Sequence, residues 1–205
     1  NRLVPSKTVV ADGPHPLHAG AVNLQVLVAE DAQLDGEILA EDPSNDLVQI
    51  PGFLGAMQAE SVQDWPVVWF PLLGENRVAQ LQKIESLALI PPAADVCPVV
   101  PHPSKDPRRA DSLLTAFREP LFDSRQTPTS NIIYVHESNP FEAYRQLLSA
   151  MRRYATSMQI MGGCRLYVTP LGSKLITLGA GLACFEMRPA DSMARYRVAM
   201  PHAEP

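Results

Sequence analysis

A chain of 205 residues, 46% hydrophobic and 19% charged, is long enough to bury a proper core, which excludes a disulfide-stapled miniprotein. Its 17 basic and 22 acidic side chains leave a formal charge of -5, which excludes a broad, non-specific coat for nucleic acid. No run approaches the roughly twenty apolar residues of a membrane span, so a soluble protein without a membrane partner is expected. Cys97, Cys164 and Cys184 are an odd set without a Cys-x-x-Cys pair, each inside an apolar run. They read as buried thiols of a reducing, cytoplasmic compartment rather than as disulfide or zinc ligands. The chain starts at Asn1 with neither an initiator Met nor a charged-then-apolar leader, so it reads as a piece of a longer polypeptide.

Residues 1–20 mix Pro, His and Gly without periodicity and are expected to form an extended arm; residues 21–205 read as one domain. Val22 to Val28 alternates at period two and predicts a strand, and the acidic stretch Asp31 to Asp46 predicts a polar connection. From Pro66 a single pattern recurs: an apolar strand, a short turn rich in Gly, Pro or Asn, then an amphipathic helix. Val67-Val68-Trp69-Phe70 leads through Pro71 to Asn76 into a helix with Val78, Leu81, Ile84 and Leu87 on one face. Val96 to Val100 runs into a turn, Pro101 to Pro107, whose prolines forbid helix, and a helix follows from Arg109 to Phe117. Ile132-Ile133-Tyr134-Val135 precedes a helix capped by Asn139 with Pro140 at its first position, its inward side carrying Tyr144, Leu147, Leu148, Met151 and Tyr154. Arg165 to Val168 meets the turn Thr169 to Lys174 and an apolar helix, Leu175 to Met187, before Tyr196 to Met200 closes as a last strand.

Strands alternating with helices imply βαβ crossovers, and continuous apolar strands imply a sheet covered on both faces. The expected fold is α/β, a Rossmann-like three-layer sandwich with a mostly parallel central sheet. Ligands of such sheets bind outside the carboxyl ends of the strands, so the turns after Phe70, Val100, Val135 and Val168 are expected on one rim.

Those turns supply the candidate residues. In Thr169-Pro170-Leu171-Gly172-Ser173-Lys174 a glycine permits close approach of an anion, amides are exposed at a helix start, and Thr169, Ser173 and Lys174 add hydroxyls and charge. The competing reading is a plain turn in which Ser173 caps the helix and Lys174 is solvated. The order Gly-Ser-Lys and the missing first glycine exclude a Walker loop. Gly162 and Gly163 precede the strand, on the wrong rim, and Gly179-Ala180-Gly181 lies inside the helix as small residues for close packing on the sheet. The turn Gly74-Glu75-Asn76-Arg77 offers another backbone loop, with Arg77 able to pair with an acid. His102 and Lys105, with Arg108 and Arg109, make the one basic cluster of this rim. Glu137 suits a ribose hydroxyl, or a His136–Glu137 acid/base pair if the chain is an enzyme; Asn139 either binds or caps. No nucleophile elbow, metal-spaced His/Cys set or His-Glu-x-x-His pair occurs, so neither catalysis nor a metal or other cofactor is indicated.

The segment Leu166 to Glu186, a strand, the turn Thr169-Pro170-Leu171-Gly172-Ser173-Lys174 and an apolar helix, resembles the signature turn of CRISPR-associated Rossmann-fold (CARF) domains and related sensors of antiviral defence. The likeness covers about twenty residues and departs from the family at Leu171, where a second glycine is usual. It implies that Thr169, Gly172, Ser173 and Lys174 contact a cyclic oligonucleotide, and that the domain is a regulatory sensor, dimeric or in a larger assembly, serving an effector protein or domain. The leading expectation is therefore a sensor of a nucleotide-like small molecule. The alternatives are a Rossmann-like enzyme acting on a nucleoside or sugar-phosphate, and a structural subunit with interfaces at the last helix and residues 1–20.

Overall fold

The computed structural model describes residues 2–3, 26–29, 47–50, 53, 60–189 and 193–203. The acidic connection 31–46, the arm apart from two residues, and the first part of the strand expected from Val22 lie outside them. Of that region, Arg2–Leu3 (β1) pairs antiparallel with Val26–Leu27 (β2), and Leu47–Gln49 (β3) pairs antiparallel with the last strand.

The α/β body then follows in chain order: Val67–Leu72 (β4), Val78–Leu87 (α1), Asp95–Val96 (β5), Val99–Pro101 (β6), Arg109–Ala116 (α2), Ile133–Val135 (β7), Pro140–Ser157 (α3), Cys164–Pro170 (β8), Lys174–Glu186 (α4), Tyr196–Ala199 (β9) and Pro201–Ala203 (β10). Strands lie in the order β7-β6-β4-β8-β9, with β5 also on β4, and every pairing within this six-stranded sheet is parallel. This is the expected Rossmann-like fold. The chain builds outward from β4 through β6 to β7, then crosses back to lay β8 on the other side of β4 and β9 beyond it. The direction of growth therefore reverses between β4 and β8.

The sheet is buried on both faces because its strands alternate apolar side chains to two separate cores. Val68, Phe70 and Leu72 of β4 join Leu166 and Val168 of β8 against α3 and α4, where Leu147, Met151, Ile176 and Ala183 are buried. Val67 and Trp69 join Tyr167 on the other face against Leu81 and Ile84 of α1 and Leu113 of α2. Helices cover both faces, and the three layers follow from period-two alternation in strands that have no solvent side.

β8 runs through Thr169 and Pro170, residues expected in the turn, and two further details depart from the sequence reading. β4 continues through Pro71 to Leu72 instead of ending at Phe70. Trp69 O accepts from Cys97 N at 2.8 Å, and Leu73 N donates to Val99 O at 2.9 Å, so the intervening β4 residue facing this neighbour is Pro71, which has no N–H to offer. The break between β5 and β6 falls at this point, at Cys97-Pro98, so one strand expected over Val96 to Val100 becomes two. Second, Gly179 does not serve packing on the sheet. A Cβ there would stand 2.2 Å from Pro140 O, so the glycine admits the first turn of α3, while Gly181 has nothing near it.

Two buried polar groups of this frame are tied across long sequence separations, whereas the buried Thr127 hydroxyl has no hydrogen-bond partner among the described residues. The indole Nε1 of fully buried Trp69 donates to Thr169 Oγ1 at 2.8 Å. Arg125, its side chain 6% exposed, lies over the same ring at 5.3 Å, pairs with Glu85 at 2.6 Å and donates to the carbonyls of Ile90 and Pro91. Among the described residues no helix is long and apolar enough to cross a membrane.

Candidate functional site

Parallel strands put the turns that follow β7, β6, β4 and β8 side by side on one rim, in that order. Three of them are tied by one side chain. Arg109, at the first position of α2, donates Nε and Nη2 to Glu75 Oε1 and Oε2 at 2.6 and 2.8 Å, a bidentate pair with the turn after β4. Its Nη1 donates to Glu137 Oε1 in the turn after β7. Glu137 Oε2 accepts from the backbone N of Lys105, in the turn after β6, at 2.8 Å. Side-chain exposures are 15% for Arg109 and 12% for Glu137 but 38% for Glu75, so Glu75 is the member nearest to solvent.

Burial alone would raise both carboxyls, yet both lie below the ordinary carboxylate value. For Glu75 the bonds and charge of Arg109 prevail; for Glu137 the Lys105 amide, the Ser104 hydroxyl and Arg109 prevail together. Burial works to lower Arg109, and its two carboxylates raise it above the free guanidinium value. The triad is thus held fully ionised, with one net negative charge.

The turn after β8 meets the turn after β4 at the point of strand reversal. A Cβ on Gly74 would lie 2.0 Å from Leu171 O, and one on Gly172 would lie 3.3 Å from Leu73 O, so the two backbones touch where each has a glycine. Ser173 caps α4, its hydroxyl accepting from Ile176 N at 3.4 Å. Lys174 Nζ reaches Ala29 O at 2.9 Å and is exposed.

The remaining candidates fall as follows. Thr169 is fully buried, and its neighbours in β8 place it on the α1 and α2 face, turned away from α4; its hydroxyl serves Trp69 inside the sheet. Asn76 sits in the turn before α1 with φ +55°, a conformation asparagine tolerates. Arg77 bonds Gln80 Oε1 at 3.3 Å rather than an acid, because Glu75 is taken by Arg109. His102 is exposed with its ring edge-on to Tyr134 at 5.8 Å, and Lys105 is exposed. His136 Nδ1 accepts from Ser138 N at 3.2 Å, while the Glu137 carboxylate turns to Arg109 and Lys105, so each of the two has its own partners. Asn139 caps α3, its Oδ1 accepting from the amides of Phe141 and Glu142.

The rim thus brings Glu75, Glu137 and Lys105 into one hydrogen-bonded group with Arg109, and Gly74, next to Glu75, meets the turn of Gly172, Ser173 and Lys174 at the β4–β8 junction. Glu137 and Ser173 follow strands three places apart, roughly 14 Å at about 4.8 Å per strand. Arg109 is the residue that sequence reasoning assigned no central role; its signals were membership of the basic cluster of this rim and its position, first in a helix after a rim turn.

The thiols are poor nucleophiles here. All three are free and buried; burial pushes Cys97 up to about 11 and Cys164 up to about 12, and raises Cys184 as well. Among the described residues no group of three or more His, Cys, Asp or Glu side chains is placed to hold a metal. No protein-family model matches the chain, and neither a curated protein nor a solved structure is significantly similar to it.

Proposed function

We propose that this chain is a ligand-sensing domain that binds a nucleotide-like anion along its carboxyl rim and passes the change to an effector protein or a second copy. The observation that carries the reading is the strand reversal between β4 and β8, the position at which open parallel sheets bind ligands; here the Gly74 and Gly172 turns meet and lead on to helices on opposite faces of the sheet. Lys174, Lys105 and Arg108 supply exposed positive charge along the same edge. An anion seated there competes with Glu75, the more exposed carboxylate, for Arg109, and that exchange loosens the turn after β4 from the turns after β6 and β7. Binding is thereby converted into a change in how three turns are tied together.

The roughly 14 Å between the two ends of the rim suits an extended ligand better than a single phosphate. The CARF likeness of the β8 turn makes cyclic oligonucleotides the first class to test, with a role in antiviral defence as its corollary. Catalysis is the weaker reading, because Glu137 is held as a carboxylate by three donors and its lowered pKa makes it a poor base.

Thermal-shift and calorimetric titration with cyclic di-, tri- and tetranucleotides tests the proposal. Saturable stabilisation without turnover, weakened by Lys174→Ala while the unliganded melting temperature holds, is the expected result. Stabilisation by mononucleotides or phosphosugars alone would refute the oligonucleotide class. Product formation lost in Glu137→Gln would replace sensing with catalysis.

A further inference from the structure

The opposite rim carries a cavity that the reading above does not use. Trp65 stands two residues before β4, Gly163 one before β8 and Arg195 one before β9, so all three meet at the amino ends of the parallel strands. The sequence Gly162-Gly163 is built around the indole. Gly162 has φ +92° and Gly163 φ +142°, and a Cβ on Gly163 would stand 2.8 Å from Trp65 Cε3 and 2.4 Å from Arg195 O. No other residue fits at Gly163, and the ring is bedded on backbone. Cys164 N donates to Arg195 O at 3.0 Å, and Arg165 Nε donates to Trp65 O at 3.2 Å, which locks the three strand starts together.

Beside this indole lies a cavity of 320 Å³, bounded by Ser61 and Val62 on one side, Met193 and Arg195 on the other, and Trp65 with Arg197. The Arg197 guanidinium is 5.6 Å from the indole centroid, steadied by the carbonyls of Ala194 and Tyr196 at 2.6 and 2.8 Å. Arg195 is exposed, and its one long bond, 3.5 Å to Gly162 O, leaves most of its donors facing outward. Among the described residues neither Arg165 nor Arg195 forms an ion pair. A chain of net charge -5 thus gathers three arginines around an aromatic wall. Guanidinium groups beside a fixed apolar surface recognise an anionic group on an apolar body.

We propose that this amino-rim cavity binds a small organic anion, its apolar or aromatic body against Trp65 and Val62 and its carboxylate or phosphate on Arg195 and Arg197. The volume, at the low end of the ~300–1,000 Å³ range of ligand pockets, limits the body to about a single ring system or a nucleoside. The proposal is independent of the sensing reading, since the two sites lie on opposite rims.

The chain has 2 tryptophans, and Trp69 is fully buried, so Trp65 is the fluorophore that a ligand can perturb. Intrinsic fluorescence is followed during titration with adenosine 5′-monophosphate, benzoate, adenosine and inorganic phosphate. A saturable change with the monophosphate or with benzoate, and none with adenosine, is expected; whichever of the two acts identifies phosphate or carboxylate. Arg195→Glu should weaken that half-saturation at least about tenfold, while Lys174→Ala leaves it unchanged. If Arg195→Glu fails to fold, Arg195→Gln carries the same comparison. No saturable change with either anion in the millimolar range overturns the proposal, as does an unaltered response in the Arg195 variant. Loss of the response in Lys174→Ala would also overturn it, by moving the binding to the carboxyl rim.

Discussion

Replacing Thr169 by Val separates a residue that serves the sheet from one that serves a ligand. The two side chains are nearly the same shape, so packing on the α1 and α2 face is retained and only the acceptor of the Trp69 Nε1 bond, 2.8 Å long and fully buried, is removed. The indole N–H then has no partner in the core, and leaving a buried donor unsatisfied costs about 1–3 kcal/mol. In a chain of this size each kcal/mol moves the melting temperature by roughly 2–4 °C, so a 2 kcal/mol loss appears as about 4–8 °C. Thr169→Ser keeps the acceptor and loses one methyl group, about 1 kcal/mol, and should fall between the two. Adding Trp69→Phe to Thr169→Val removes the stranded donor, so the double variant should lose less than the two singles combined, with a coupling of about 1 kcal/mol. Urea denaturation of the parent and the four variants, Trp69→Phe alone included, measures these differences, and the titrations at either rim should be unchanged in Thr169→Val. The reasoning fails if Thr169→Val is as stable as the parent, or if Thr169→Ser loses as much as Thr169→Val. It also fails if ligand binding at the carboxyl rim is lost without any loss of stability.

Gly74→Ala should cost about 1–3 kcal/mol or more in urea denaturation, because its new methyl would meet the Leu171 carbonyl oxygen at 2.0 Å and backbone cannot yield as a side chain can. Gly172→Ala, with contacts no closer than 3.3 Å, should be the milder change; the reverse ranking would disprove the back-to-back packing of the two turns. The acid limb of stability should depend on Glu137. Its folded pKa lies below the free value near 4.5, so its stabilisation is full at neutral pH and is lost as pH falls through the folded value, a window beginning at about pH 4.5 and running below it. The gap in urea midpoint between parent and Glu137→Gln should therefore be large at pH 7 and shrink in acid. An equal gap at both pH values would show that the carboxylate charge contributes nothing.

The repeating βα units, the parallel sheet and the faces of the helices were legible because each depends on neighbours a few residues apart. Period-two apolar runs have no solvent side, and the caps at Asn139 and Ser173 use an oxygen and an amide within the next turn of chain. Pro71 was read as the first residue of the turn, yet it lies inside β4. Only the break between β5 and β6 opposite it permits that position. Arg109 joins residues 34 and 28 positions away, and Trp69 meets Thr169 at a separation of 100. Such pairings are set by strand order, which local pattern does not contain: three rim turns become neighbours only because β7, β6 and β4 lie side by side. The same holds for the paired glycines of the β4 and β8 turns, and for Gly162 and Gly163, dismissed as lying on the wrong rim and found to be the bed of Trp65. Composition and periodicity by themselves determined that this chain layers helices over a buried parallel sheet, since short-range burial and capping suffice for that. Which charged and polar groups meet between distant elements was decided by the tertiary structure alone, because an ion pair needs two side chains within about 4 Å and long-range topology fixes which ones arrive there.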